Sequence, residues 1–320
     1  MSTADLTPDA IGNARANRGL HLLSWLLSAS LLALAAWLLH RYLGAMAWRD
    51  VTAALLQLPA SHLLGALAAT ATSFAMLAVF DLLAARSVAP RCPGPLAAFA
   101  GFAAHALSNT LGFHALTGGA VRYRIYAGAG VTAGDIARVV GLASLGVGLG
   151  YAVLGAAGLW MEPAIAPGWG RPVGGALAAL LLAMLAWLAR PRTLRLHRWS
   201  LALPGSASAA LQMLIGGIEM SAAIAAMYLL LPAAIAPSFV DFVPIYLAAL
   251  VAGIASHAPG GLGVFEAILL GAFPAEARAD VLAGLLCYRM VYNLLPFGVA
   301  ALALAVFEAR RRRSPALERA

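Results

Sequence analysis

The sequence predicts an all-α, polytopic membrane bundle, with about six full spans plus two re-entrant or broken helices. Three observations carry that expectation. Apolar residues make up 62% of the 320 positions and charged residues only 11%, where a soluble domain has about 25% charged residues. Mean hydropathy is +0.86. The apolar residues fall in long blocks separated by short Arg-bearing loops, and about 20 such residues suffice to cross the hydrocarbon core.

Taken in order, residues 1–19 form a tail with Arg15 and Arg18, followed by an apolar run at 20–39. Ala33-Leu34-Ala35 resembles a cleavage site, but the run is long for a signal peptide and further spans follow, so it reads as an uncleaved first span. Clean spans follow at 61–83, 137–160, 173–189, 208–231 and 281–307. Residues 161–172 read as a connecting loop and 308–320 as a basic tail. Two stretches are irregular. Residues 96–117 contain His105, Asn109, His114 and Thr117 and run into Gly118-Gly119. Residues 242–273 are broken by His257-Ala258-Pro259-Gly260-Gly261-Leu262-Gly263. Proline removes an amide donor and clustered glycines loosen a helix. At membrane depth such backbone persists only where protein or a wet cavity satisfies it.

The net charge is +8, from 21 Lys+Arg against 13 Asp+Glu. The basic residues sit at the ends of apolar blocks and in the run Arg310–Arg313, with no long basic face. That distribution fits the positive-inside rule and argues against a nucleic-acid partner. With those loops and both termini in the cytoplasm, the spans balance only if 96–117 and 242–273 each enter and leave on one side. Residues 20–160 and 173–307 would then read as two transmembrane repeats, each span, span, hairpin, span, inverted in the bilayer. Broken helices meeting near the midplane are common in transporters built this way. Cys92 and Cys287 have neither metal-ligand nor disulfide-framework spacing, and no cofactor or metal site is expected.

The segment Gly118-Gly119-Ala120-Val121-Arg122-Tyr123-Arg124-Ile125-Tyr126 alternates Arg with Tyr after two glycines. Arg donors suit phosphate and Tyr suits the headgroup level. The segment reads either as a site for an anionic lipid phosphate or as ordinary interfacial anchoring. Glu266, inside an apolar run, demands a partner. Arg289 in the last span is the natural one, either as a structural pair or as part of a polar cavity with Tyr292 and Asn293. Glu219 is a further cavity candidate with no evident partner, as are His105, Asn109 and His257. Asp81, at the end of its span, reads as interfacial and solvated. His105 and His114 fit helix contacts better than a metal site. Nucleophile-elbow, zincin, Walker and Asp-rich prenyl-phosphate signatures do not occur.

Residues 108–126, from Ser108-Asn109-Thr110 through Arg122-Tyr123-Arg124-Ile125-Tyr126, resemble the flippase domain of bacterial multiple-peptide-resistance lipid enzymes. His257-Ala258-Pro259-Gly260-Gly261-Leu262-Gly263-Val264-Phe265-Glu266 and Tyr288-Arg289-Met290-Val291-Tyr292-Asn293-Leu294-Leu295-Pro296 look like its second signature. The broader group is the lysylphosphatidylglycerol synthase transmembrane family. The resemblance implies a bacterial inner-membrane protein that moves aminoacylated phosphatidylglycerol, or another lipid, between leaflets. It carries the family's arginines onto Arg122 and Arg124, its glutamate onto Glu266 and its last-span arginine onto Arg289. Full-length members add a second membrane segment and an aminoacyl-transfer domain. Neither lies within these residues, so synthase activity is not expected. The partners that follow are membrane lipids, a lipid-modifying enzyme and a second copy of the chain. The competing readings are a membrane transferase acting on a lipid-linked substrate and a non-transporting partner of a lipid-modifying enzyme.

Overall fold

The computed structural model describes residues 58–112, 114–161, 166–190, 192–196, 199–256 and 259–313, all within the unit Ala45–Ala320. The span expected at 20–39 and residue His257 lie outside them. The helices are α1 (Ala60–Val88), α2 (Gly94–Leu111), α3 (His114–Tyr126), α4 (Ala133–Trp160), α5 (Gly170–Trp187), α6 (Ser206–Tyr228), α7 (Phe239–Ala255), α8 (Val264–Gly271), α9 (Arg278–Tyr288) and α10 (Leu295–Arg313). Five helical segments are long and apolar enough to cross a membrane: α1, α4, α5, α6 and the continuous Ala275–Arg311. The chain is an all-α polytopic bundle. The basic loop between α5 and α6 adds one short antiparallel hairpin, Thr193–Leu196 against Trp199–Ala202. α10 continues to Arg313, so the four arginines expected in a tail lie in a helix.

Local chemistry sets the boundaries. Thr132 and Ser238 cap α4 and α7, each hydroxyl accepting an amide three residues on at 3.2 Å. Pro95 stands in the first turn of α2, where a missing amide costs nothing. Both irregular stretches are helical hairpins: α2 folds back on α3, and α7 on α8. The first breaks at Gly112 (φ 79°) and not at Gly118-Gly119, which lie inside α3. Gly118 makes room for a side chain of its own helix, since a Cβ there would come within 3.0 Å of Arg122 Nη1. The second breaks where the sequence placed it. Gly260, Gly261 and Gly263 hold φ of 59°, 67° and 81°, a region closed to most side chains.

The span expected at 281–307 is interrupted. Between α9 and α10 the helix widens to a π turn over Arg289–Leu294, in which Leu295 N–H reaches back five residues to Met290 O. Pro296 explains the widening, because it has no amide to offer the Tyr292 carbonyl. The carbonyl of Asn293 accepts instead from Thr110 Oγ1 at 3.3 Å, tying this turn to α2.

The core is the α1–α4–α6 cluster. Gly150 of α4 and Gly216 of α6 touch, and a Cβ on either would lie 2.6 Å from the other's backbone. Small residues of this kind let membrane helices pack main chain to main chain. The order long helix, hairpin, long helix over 60–160 recurs over 206–313. Contacts are reciprocal: α1 packs on α6, α2 on α10, and α7 on α4. Leu180, Leu182 and Leu302, each at least 65% exposed, point outward as lipid-facing side chains must.

Candidate functional site

The two hairpins bring their breaks together, since the turn Pro259–Gly261 packs on α2. Beside this junction lies a cavity of about 580 Å³, within the usual span for small-molecule sites, roughly 300–1,000 Å³. Its wall includes His105, Asn109, Tyr151, Glu219, Arg289 and Asn293, with Tyr246, Tyr288 and Tyr292 on the aromatic side. Leu116 and Ile254 also line it and are exposed, so among the described residues the cavity reaches the surface between the hairpin tips.

Arg289 is the cation of this wall. It is 6% exposed, and the π turn places it there. Nε donates to Glu266 Oε1 at 2.8 Å, Nη2 to the same oxygen at 2.5 Å, and Nη1 to Gly260 O at 2.7 Å. Glu266 Oε2 accepts from Gly263 N at 2.8 Å, capping α8. One carboxylate therefore fixes both the second break and the arginine. A guanidinium carries five N–H donors, so two remain for a ligand. Asn293 donates to Asn109 O at 3.4 Å, while its own side-chain oxygen has no partner among the described residues.

Aromatic side chains grip the arginine's side of the wall. Tyr288 and Tyr292 stack at 4.9 Å, Tyr246 and Tyr288 share a hydroxyl contact of 2.6 Å, and Arg289 lies 5.4 Å over Phe265. Across the wall, Ser73 Oγ donates to Glu219 Oε1 at 2.8 Å and stands 2.7 Å from Tyr292 OH. Insertion scales put a carboxylate at membrane depth at about 3 kcal/mol, which is why such groups need donors.

The Arg-Tyr segment of α3 stands apart from this wall. Arg122, 4% exposed, makes a two-point pair with Asp81 at 2.8 and 2.6 Å. Tyr126 donates to the same carboxylate at 3.1 Å. Asp81 is wholly buried and not solvated at an interface, as the sequence suggested. The physical reason is that α1 runs past it to Val88 and a buried carboxylate requires a cation. Arg124 pairs with Glu308 of α10 at 2.5 Å, and Tyr123 is 41% exposed. None of Arg122, Tyr123, Arg124 and Tyr126 lines the cavity. His105 lies between the two regions, on the cavity wall and 3.0 Å from Arg122 Nη2. His114 Nε2 bonds Asn109 Oδ1 at 3.1 Å. Among the described residues no group of three His, Cys, Asp or Glu is placed to hold a metal. Sequence reasoning missed Ser73, Tyr151 and Tyr246. Of the residues it misread, Asp81 carried a readable signal, as a lone carboxylate on an apolar span.

No protein-family model matches the chain. It is 31% identical over 286 residues to the uncharacterized protein slr0712 of Synechocystis sp., across 86% of this chain and 87% of that one. It is 26% identical over 306 residues to the inner membrane protein YbhN of Escherichia coli (strain K12), across 91% and 93%.

Proposed function

The chain belongs to the family of the Synechocystis protein slr0712, and from that premise we propose that it is a multi-pass inner-membrane transporter moving a phospholipid between leaflets. The observation that carries this reading is the cavity between two hairpin breaks, walled by Arg289, Asn109, Asn293, His105 and phenols. A phosphate is recognised by such donors, and Arg289 keeps two N–H groups for it. The acyl tails stay in the bilayer, passing the exposed gap at Leu116 and Ile254. The loop arginines support an orientation with both termini in the cytoplasm. The relative YbhN is itself an inner membrane protein, which supports the same location here.

We read residues 60–160 and 206–313 as halves of an inverted repeat. The reciprocal packing of each hairpin on the other half's last helix supports this. Rocking of one half against the other would present the cavity to each side in turn. Aminoacylated phosphatidylglycerol is the cargo suggested by residues 108–126, 257–266 and 288–296. In this arrangement Arg122 and Arg124 brace the first hairpin, and the headgroup contacts come from the second.

The test is a leaflet-resolved assay in proteoliposomes holding several anionic and aminoacylated lipids. Arg289→Gln is expected to slow translocation at least about tenfold, the equivalent of 1.4 kcal/mol. Wild-type speed in that variant overturns the site, and chemical conversion of the lipid overturns the transporter reading.

A further inference from the structure

Glu219 has a role that headgroup binding leaves unused. It sits on α6 at 3% exposure and lines the cavity. Oε1 accepts from Ser73, but Oε2 is buried and, among the described residues, has no hydrogen-bond partner. Buried polar atoms are almost always partnered, so a carboxylate oxygen left open on a cavity wall points to a ligand of its own.

The surrounding groups narrow what that occupant is. Ser73 faces Glu219 from α1, Tyr151 from α4, Tyr246 from α7 and Tyr292 from the π turn. Tyr288 of α9, His105 of α2, His114 of α3 and Arg289 lie elsewhere on the same wall, and α5 contributes nothing to it. The phenols stay neutral at ordinary pH. Arg289 is held by Glu266 and Gly260. No cation among the described residues pairs with Glu219. A bare carboxylate in a low-dielectric wall needs a proton or a cation. The hydroxyls fix which oxygen is available. With Glu219 ionised, Ser73 spends its one hydrogen on Oε1, and the Tyr292 hydroxyl, 2.7 Å from Ser73 Oγ, is free to donate into the same group. Oε2 alone is left to gain one.

We propose that Glu219 is a proton-binding site, taking up one proton at Oε2 from cavity water and releasing it on the other side as the two halves exchange access. An O–H bond forms on uptake and breaks on release, with no change of oxidation state. The coupling to lipid movement rests on the transport reading above, but the site itself does not.

Infrared difference spectroscopy on the purified protein in lipid nanodiscs reads the carboxyl directly. Acidification is expected to raise a protonated-carboxyl band in the wild type that Glu219→Gln lacks. Tyr292→Phe, which keeps the ring, is expected to shift that band without removing it. This holds the test open should Glu219→Gln fail to fold. A band that follows added sodium at constant pH, or one that persists in Glu219→Gln, overturns the proposal. In proteoliposomes, a pH difference of about one unit is expected to bias the wild-type lipid distribution by up to about tenfold for one proton per lipid, and to leave Glu219→Gln unbiased. An unbiased wild type that still moves lipid overturns the coupling. A normal band in a protein that moves no lipid leaves the proton site standing and overturns the lipid reading.

Discussion

Arg122 with Asp81 and Arg289 with Glu266 are the same chemistry in two settings. The first pair is buried: Arg122 makes two contacts to one fully buried carboxylate, which also takes the Tyr126 hydroxyl, and only His105 stands between the guanidinium and the cavity. The second pair is shared with backbone at Gly260 and Gly263 and fronts a cavity. What separates them is the backbone beside each. α1 and α3 are regular helices where Asp81 and Arg122 meet, so side chains close over the charges. At Glu266 and Arg289 a triple-glycine break faces a π turn, and neither can fill the space between them. A charged pair thus marks a site only where irregular backbone keeps room next to it.

The largest expected effect tests the buried pair. Arg122→Ala strands a buried carboxylate and should cost about 3–5 kcal/mol, read as loss of folded protein in a detergent denaturation series. Asp81→Asn combined with Arg122→Gln should cost less than the sum of the singles, since neither partner is then left charged. If Arg122→Ala matches wild-type stability, the contrast fails. Next comes the open pair. Arg289→Gln should lose about 1–3 kcal/mol of stability, less than Arg122→Ala, while losing far more transport. Equal stability losses would mean that both pairs are scaffold. Tyr292→Phe removes the hydroxyl that contacts Ser73 and should cost about 1 kcal/mol in the same series. The smallest effect belongs to Arg124→Ala. Its pair with Glu308 lies toward the periphery, with side chains 24% and 18% exposed. The expected loss is about 1 kcal/mol or less, with transport unchanged, and a transport defect there would return the first hairpin to the site.

The sequence made the bundle legible because the bilayer leaves few options for a chain of long apolar blocks. Pro259 and the glycines around it marked the second break, and the depth of Glu266 and Arg289 marked their pairing. The first break was harder to read. Gly118-Gly119 is the louder signal, yet Gly112 makes the turn, because a pair of glycines can sit inside a regular helix without bending it. The alternation of Arg122, Tyr123, Arg124 and Tyr126 was misleading for a related reason. On a helix, neighbours in sequence point in different directions. Four residues that read as one patch are therefore sent to Asp81, to solvent, to Glu308 and back to Asp81. Ser73, Tyr151 and Tyr246 left no trace, because a lone hydroxyl in an apolar helix looks the same whether it faces lipid, a neighbour or a void.

Gly150 and Gly216 meet with nothing larger than hydrogen between two main chains. In the proposed rocking the two halves move against each other across this contact, and a single added methyl group at either glycine would stand 2.6 Å from the opposing backbone and wedge it open.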